Sequence, residues 1–258
     1  MKNAVINFKK YRYLLKELIN KDIKLKYRRS YLGLLWTLLE PLLTMIVLTF
    51  VFSGLFGRGD ESYPIYILTG RLLYTFFSTA TKASMKSIRS NAGMIKKVYV
   101  PKYIYPFAST LSNYVIFLLS LIVLIVVSLV LNVMPTLYIF NAIFPLILIL
   151  ILSLGVGMIL STLAVFFRDL EYLWSVFLMF IMYTSAIFYQ VEKLKIAGKE
   201  WIFNINPLYN IIVNFRNAIF GRPMDKYALI YSTCFSFGSL IIGMFIFYKN
   251  QDKFILHI

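Results

Sequence analysis

YIYPFASTLSNYVIFLLSLIVLIVVSLVLNVMPTLYIFNAIFPLILILILSLGVGMILSTLAVFF, residues 103–167, contains no Asp, Glu, Lys or Arg in 65 consecutive positions. A bilayer core about 30 Å thick is crossed by about 20 residues of α-helix, because each residue adds about 1.5 Å to the helix. The run is therefore long enough for two membrane-spanning helices. We place the turn between them at residues 132–136.

The composition of the whole chain also indicates a membrane protein. Of its 258 residues, 60% are hydrophobic and 15% charged, whereas a soluble domain is about half apolar and about a quarter charged. The 27 Lys and Arg against 11 Asp and Glu give a net charge of +16. These cations lie in blocks between apolar segments, which is typical of loops that face the cytoplasm and its anionic lipids. We therefore expect no nucleic-acid partner.

The apolar segments predict an all-α integral membrane protein with six spans. The spans cover residues 36–56, 64–82, 107–131, 137–166, 172–189 and 227–248. One side of the predicted membrane carries 19 Lys and Arg and the other carries seven, with Arg71 inside the second span. Because cytoplasmic loops are enriched in Lys and Arg, both termini are expected in the cytoplasm.

A single transmembrane domain, residues 1–258, is predicted, with a bundle at 36–248 and a cytoplasmic tail at 249–258. Residues 1–31 contain ten Lys and Arg, and at helical spacing most of these cations lie opposite an apolar face. This pattern favours an amphipathic helix that lies on the cytoplasmic leaflet. A solvated cytosolic helix is the alternative.

The segment between the fifth and sixth spans predicts a short helix at residues 207–220. Asn206 is a suitable N-cap, Pro207 suits the first helical position, and Gly221 favours termination. Its 14 residues reach about 21 Å, too short to span a bilayer. Asparagines form one polar stripe, at Asn206, Asn210, Asn214 and Asn217. The stripe indicates a re-entrant helix that faces a water-filled path, or an amphipathic helix on the outer leaflet.

The residue types needed for catalysis are scattered or missing. The chain has one cysteine, Cys234, and one histidine, His257, so no thiol, metal or Ser-His-Asp constellation is predicted. No phosphate-binding G-x-x-x-x-G-K-[ST] loop occurs in the sequence. We therefore expect that the chain is not an enzyme and holds no cofactor or metal. If transport uses ATP, another chain must bind it.

Charged and aromatic residues inside the spans have two interpretations. Arg71 either faces a pore or pairs with Glu40, or each of the two extends to its nearer interface. Aromatic rings on the first and fifth spans offer faces on which sugar rings can pack, but such rings also anchor helices at interfaces. The candidate path residues are Trp36, Phe50, Arg71, Trp174, Phe177, Phe180, Tyr183 and Phe188.

Four motifs, in order, resemble one family. They are DIKLKYRRSYLGLLWTLLEPL at residues 22–42, NAGMIKKVYVPK at 91–102, FFRDLEYLW at 166–174 and NPLY at 206–209. Together with the length and the six-span pattern, they resemble the permease subunits of type 2 ABC exporters. These permeases move lipid-linked polysaccharides such as O-antigen, capsule and teichoic acid.

The resemblance implies a homodimeric pore in the bacterial inner membrane, bound to two copies of a separate ATP-binding subunit that holds ATP and Mg. It implies a helix that couples the pore to the ATPase, formed by Asn91, Ile95, Lys96, Lys97, Val98, Tyr99, Pro101 and Lys102. Arg168 and Asp169 would form a second contact. An outer gate would comprise Asn206, Pro207, Asn210, Asn214 and Asn217.

One departure concerns the fifth span. Many relatives have a proline just before its aromatic exit, where this chain has SAIFY at residues 185–189. Two other functions remain open on the sequence. One is a drug or small-lipid exporter of the same fold, and the other is a flippase or channel that does not use ATP.

Overall fold

The computed structural model describes residues 2–28, 30–56, 62–98, 100–191 and 201–257. Within these ranges the chain is helical and contains no β-strand. In chain order the α-helices are α1 Lys2–Tyr27, α2 Trp36–Phe56, α3 Tyr63–Ser90, α4 Ala92–Lys97, α5 Ile104–Val130, α6 Ile143–Phe166, α7 Leu170–Thr184, α8 Trp201–Asn204, α9 Pro207–Ile219, α10 Lys226–Asn250 and α11 Phe254–His257. Short 3₁₀ helices precede α2, α6 and α11, at Gly33–Leu35, Leu137–Ala142 and Gln251–Lys253.

Four helical stretches in the described ranges are long and apolar enough to cross a membrane. They are Gly33–Gly54, Ile104–Val130, Leu137–Phe166 and Lys226–His257. The uncharged run therefore forms two such helices, as predicted, and α5 and α6 pack against each other. Asn132 in the turn has a φ of 57°, a left-handed conformation that asparagine adopts more readily than most residues.

The other two predicted spans are helical but differ in character from these four. α3 has 28 residues and carries Arg71, Lys82, Lys86 and Arg89. α7 has 15 residues, a length of about 22 Å, and ends at Thr184 instead of the predicted residue 189. The chain leaves the helix here because Ala186 has a φ of 46°, outside the right-handed helical region.

α3 lies at the centre of the bundle, packed against α2, α5, α6, α7 and α9. Small residues on α6 allow two close approaches. A Cβ on Gly157 would lie 2.6 Å from the Ser84 hydroxyl of α3, and a Cβ on Gly155 would lie 2.5 Å from the Leu240 amide nitrogen of α10. Glycine at both positions lets the helix backbones pack directly, as in other membrane bundles.

The N-terminal segment forms α1, and part of its apolar face contacts protein. Leu18 is buried, and Leu15 and Ile19 pack on the same cluster, which includes Ile104 of α5 and Phe254 of α11. Leu25, further along α1, is exposed. α1 is therefore docked on the bundle through the centre of the face that the sequence predicts for the lipid surface.

Candidate transport site

Asn91 fixes the corner between α3 and α4. Its Nδ2 donates to the Ser87 carbonyl at 2.8 Å, and its Oδ1 accepts from the Lys21 ammonium of α1 at 3.0 Å. Ile95, 7% exposed, anchors one side of α4 in the cluster shared with α1 and α11. The predicted coupling helix is thus held by α1, α3 and the bundle at its base.

The opposite side of α4 is not covered by the rest of the described chain. Lys96, Lys97 and Val98 are exposed, while Tyr99 lies outside the described residues. Pro101 and Lys102 are half-buried, and the Lys102 ammonium donates to the Gln251 carbonyl at 2.6 Å. Lys102 therefore contacts the C-terminal end of this chain, whereas the two preceding lysines and Val98 present a free surface.

α1 makes a second polar contact beside this segment. The Ser109 hydroxyl of α5 donates to the Asp22 carboxylate at 3.3 Å. Burial raises the pKa of the Asp22 carboxyl, and the neighbouring Lys21 and the Ser109 hydrogen bond lower it in part. Lys21 and Asp22 thus join α1 to Asn91 on one side and to α5 on the other.

Arg168 and Asp169, the predicted second contact, are exposed in the connection between α6 and α7. Two residues further on, the Glu171 carboxylate accepts from Lys86 at 2.9 Å and from Arg89 at 3.2 Å. Glu171 was missed in the sequence, although an acidic residue in the first turn of a helix is a recognisable signal. It joins α7 to the end of α3 that carries α4.

Three aromatic rings form a row along α7. The centroids of Trp174 and Phe177 lie 5.4 Å apart, and those of Phe177 and Phe180 lie 6.2 Å apart. Phe177, Phe180 and Tyr183 are exposed, whereas Trp174 is buried and its indole N–H donates to the Thr81 hydroxyl at 3.1 Å. On α2, Trp36 and Phe50 are exposed, Phe50 to 86%.

The remaining two path candidates lie elsewhere. Phe188 comes after the end of α7, is buried, and stacks on Phe52 with centroids 5.0 Å apart. Arg71 and Glu40 line the same small polar cavity between α2, α3 and α5. Among the described residues no ion pair joins these two side chains. The salt bridges found there are those of the Glu171 carboxylate. The structure therefore does not pair Arg71 with Glu40.

α9 begins as the sequence predicts. The Asn206 side chain accepts from the Leu208 amide at 3.0 Å, and Pro207 occupies the first turn. The Asn206 Nδ2 also donates to the Thr184 and Ser185 hydroxyls, both at 3.0 Å. Asn206 therefore joins the start of α9 to the end of α7.

The asparagine stripe is largely buried. Asn210 donates to the Asn204 carbonyl at 2.8 Å, and Asn214 exchanges hydrogen bonds with the Asp225 backbone before α10. Buried amides require such partners. Asn217 is half-buried and lines a cavity of about 320 Å³. Because Ile211 and Phe215 are buried as well, α9 is enclosed on both faces, and most of the stripe holds the helix in place.

An arginine cluster, defined as Tyr63, Tyr66, Gly70 and Arg216, lies where α9, α3 and the end of α7 meet. The Arg216 guanidinium, on a residue only 6% exposed, lies 3.5 Å from the centroid of the Tyr66 ring. One nitrogen donates to the carbonyls of Tyr66, Ala186 and Ile187 at 3.1, 3.1 and 3.4 Å. A Cβ on Gly70 would lie 2.6 Å from that nitrogen.

The two tyrosines of the cluster satisfy the next carbonyls. Tyr63 donates to the Phe188 carbonyl at 2.5 Å, and Tyr66 donates to that of Tyr189 at 2.7 Å. Backbone carbonyls beyond a helix end in apolar surroundings need donors. The arginine cluster supplies them for residues 186–189, and no sequence pattern identifies Arg216 for this role.

These features define a class of protein. Long apolar helices packed around a buried polar cluster describe a helical integral membrane protein. The sequence model of the ABC-2 type transporter family matches residues 13–220. The chain belongs to this family, which confirms the family predicted from the four motifs.

Several curated proteins are similar along most of the chain. The O-antigen export system permease protein RfbA of Klebsiella pneumoniae is 30% identical over 93% of both chains. The polysialic acid transport protein KpsM of Escherichia coli is 22% identical over 90% of this chain and 91% of its own length. The capsule polysaccharide export inner-membrane protein CtrC of Neisseria meningitidis serogroup B is 24% identical over 81% of this chain and 80% of its own.

Proposed function

We propose that this chain is the membrane-spanning subunit of an ATP-driven exporter that moves lipid-linked polysaccharide, of the O-antigen type, across the bacterial cytoplasmic membrane. The observation that carries the proposal is the similarity to an O-antigen export permease at 30% identity over 93% of both chains. A likeness of this extent covers the predicted coupling helix, path and outer helix together.

The proposed topology has six spans, with α3 as the second and α7 as the fifth. The cationic end of α3, with α4 and both chain termini, faces the cytoplasm, in accordance with the excess of Lys and Arg there. α1 lies at the cytoplasmic interface. α9 is a re-entrant helix on the outer side, because its 13 residues reach only about 20 Å and it is enclosed by other helices.

The proposed assembly is a homodimer with two copies of an ATP-binding cassette subunit. The ATPase, which holds ATP and Mg, would contact the exposed side of α4 at Lys96, Lys97 and Val98, and the loop at Arg168 and Asp169. The base of α4 is fixed to α1 and α3, so a push on its exposed side is passed to the bundle instead of bending a loose loop.

The proposed path for the glycan lies along α7 and α2. Phe177, Phe180 and Tyr183 on α7, and Trp36 and Phe50 on α2, are exposed aromatic residues in the single chain. Sugar rings present C–H faces that pack on such rings, while hydroxyl groups keep their hydrogen bonds to water. A second copy that faces this surface would convert it into an aromatic-lined passage.

Energy transfer is proposed to follow α3. Its 28 residues span about 42 Å and join the coupling helix at one end to the arginine cluster at the other. Arg216 belongs to α9 and Glu171 to α7, so a displacement of α3 reaches both the outer helix and the aromatic path. Such rigid-element movements are common in transporters.

Deletion of the gene tests the substrate class. We expect lipid-linked polysaccharide to accumulate on the cytoplasmic side, with restoration of export by the intact gene. A deletion strain that exports its surface polysaccharide normally and instead retains a drug or a small lipid would support the alternative exporter. Purification of the working transporter without any cassette ATPase would support the ATP-independent alternative.

A further inference from the structure

A lateral groove of about 620 Å³ lies between the start of α5, α6 and the second half of α10. It shares no residue with the candidate path, with α4 or with the outer helix. Its walls are formed mainly by Leu154 and Met158 of α6 and by Leu240, Met244 and Phe245 of α10. Tyr103, Tyr248 and Gln251 lie at one end.

The groove follows from how α6 and α10 meet. A Cβ on Gly243 would lie 2.5 Å from the Gly155 carbonyl oxygen, so the two backbones touch at this crossing. The two helices pack along much of their length, so the groove lies on the surface beside this contact. Leu154, Met158, Leu240 and Met244 flank the close approach, and the groove also includes Tyr103 and Gln251.

Hydrocarbon suits this groove better than water. Its walls are almost wholly apolar, so water inside it would lack the polar partners that ordered water requires. Met244, Phe245 and Tyr248 are exposed to 47%, 67% and 76%, which leaves the groove open to the side. On a helix long enough to cross a membrane, that side faces lipid. Methionine side chains also adapt readily to a flexible chain.

The polar end of the groove is positively charged. Gln251 lines this end, and its carbonyl accepts from the Lys102 ammonium at 2.6 Å. An ammonium has three donors, so Lys102 retains capacity for a further oxygen ligand. Lys249 precedes Gln251 on α10, and Asp252 and Lys253 follow it. Tyr103 and Tyr248 are the aromatic residues expected at a membrane interface.

We propose that this groove binds one acyl chain of a membrane phospholipid whose anionic headgroup contacts Lys102. The inference rests on the proposed topology, which places the groove in the cytoplasmic leaflet, where anionic lipids attract cations. The apolar walls suit an acyl chain, and the lateral opening lets that chain enter from the bilayer. The ammonium at the end suits an anionic headgroup. The occupant is a membrane lipid instead of the lipid carrier of the glycan, because no candidate path residue lines the groove.

The bound lipid would stabilise a contact that matters for coupling. Lys102 ends the segment that begins with α4, and Gln251 follows α10. A headgroup phosphate at Lys102 would hold these two parts of the chain together, and an acyl chain would cover the apolar groove beside α6 and α10. The anionic lipid content of the membrane would then set how firmly the coupling segment is fixed.

Native mass spectrometry of the full chain with its ATPase partner, released from nanodiscs of phosphatidylglycerol and phosphatidylethanolamine, tests the proposal. We expect one phosphatidylglycerol retained per chain. Met244→Trp, which fills the groove, should abolish retention. Ile241→Trp is the matched control, because Ile241 is an exposed residue of the same helix outside the groove.

A second pair of variants tests the headgroup without altering the groove. Lys102→Ala should lower phosphatidylglycerol retention about fivefold, the effect typical of one lysine near an anionic membrane surface. Lys16→Ala, at an exposed lysine of α1, should leave retention unchanged. If Met244→Trp does not fold, this pair still decides the question.

Three outcomes would overturn the proposal. They are no retained lipid, equal retention in all four variants, and retention of phosphatidylethanolamine as readily as phosphatidylglycerol. The measurement needs no transported substrate. A failure of the export assignment would therefore leave the retained phosphatidylglycerol in place, and a failure of the lipid proposal would leave export unaffected.

Discussion

The two ends of α3 are held in opposite ways. At the end near Ser90, partly exposed Lys86 and Arg89 pair with Glu171, and the attached α4 presents lysines outward. At the end near Tyr63, a buried guanidinium and two tyrosines donate to backbone carbonyls in apolar surroundings. Exposed pairs contribute about 0 to 1 kcal/mol, whereas loss of a partner from a buried charged network costs about 3 to 5 kcal/mol.

The difference teaches where this molecule is rigid and where it can be moved. The end near Tyr63 is a buried junction of three elements, whereas the end near Ser90 is held by partly exposed ion pairs and carries a helix with an exposed side that a partner can contact. A transporter driven from one side needs this asymmetry, because a signal is passed along α3 only if its far end is firmly attached to what must move.

Replacement of Arg216 should cause the largest loss in the free energy of unfolding. Arg216→Lys keeps the charge but loses the planar fork that reaches three carbonyls and lies on Tyr66. We expect the free energy of unfolding to fall by about 3 kcal/mol, measured by thermal unfolding in detergent. Arg222→Lys, at an exposed arginine nearby, is the control. Equal unfolding midpoints for both variants would contradict a fixed junction at the Tyr63 end of α3.

Substitution of Gly70 on α3 tests the same junction, because Gly70 lies against the Arg216 guanidinium. Gly70→Ala would place a methyl group 2.6 Å from the guanidinium nitrogen, so Arg216 must shift away from its carbonyls. Overpacking of this kind costs about 1 to 3 kcal/mol, and thermal unfolding would again report it. Gly238→Ala serves as control, since its added methyl would meet nothing within 4 Å. A neutral or stabilising Gly70→Ala would show that the guanidinium is not confined.

The exposed side of α4 should affect partner binding instead of stability. Lys96→Glu with Lys97→Glu reverses two charges that the bundle does not cover, so we expect affinity for the ATPase to fall about tenfold, with unfolding unchanged. Co-purification of the ATPase measures this loss. Lys16→Glu with Lys24→Glu, at exposed lysines of α1, keeps the overall charge change the same. Undiminished co-purification would remove α4 from the coupling contact.

Glu171→Gln should have the smallest effect on stability. It removes one carboxylate from two partly exposed ion pairs, so the free energy of unfolding should fall by about 0.5 kcal/mol. High salt should abolish even this difference, because it screens exposed pairs. Thermal unfolding at low and high salt, with Asp252→Asn as control, measures it. A loss as large as that of Arg216→Lys would make the two ends of α3 equivalent.

Much of the fold could be predicted because apolar length and charge are strong local signals. The charge gap from residue 103 to 167 gave the α5–α6 pair, and Asn206 with Pro207 gave the start of α9, which the Asn206 cap confirms. The family was predicted from motifs and is confirmed by the match over residues 13–220. The six-span topology and the roles of the site residues remain predictions.

The parts that could not be predicted depend on contacts between distant residues. Arg216 was counted as a cation of an outer loop, yet its partners are carbonyls of residues 66, 186 and 187. Every residue has a backbone carbonyl, so the residue types do not show which carbonyls accept these hydrogen bonds. The early end of α7 and the burial of Asn210 and Asn214 have the same origin, because both depend on how α9 packs against its neighbours.

Reconstitution tests the central claim most directly. The chain and its cassette ATPase would be placed in liposomes that carry lipid-linked O-antigen on the leaflet where the ATPase is exposed, and an enzyme or lectin would detect glycan on the opposite leaflet. We predict transfer that requires ATP and is lost with the Lys96→Glu, Lys97→Glu variant. Transfer without ATP, or no transfer while the assembled complex hydrolyses ATP, would contradict the account.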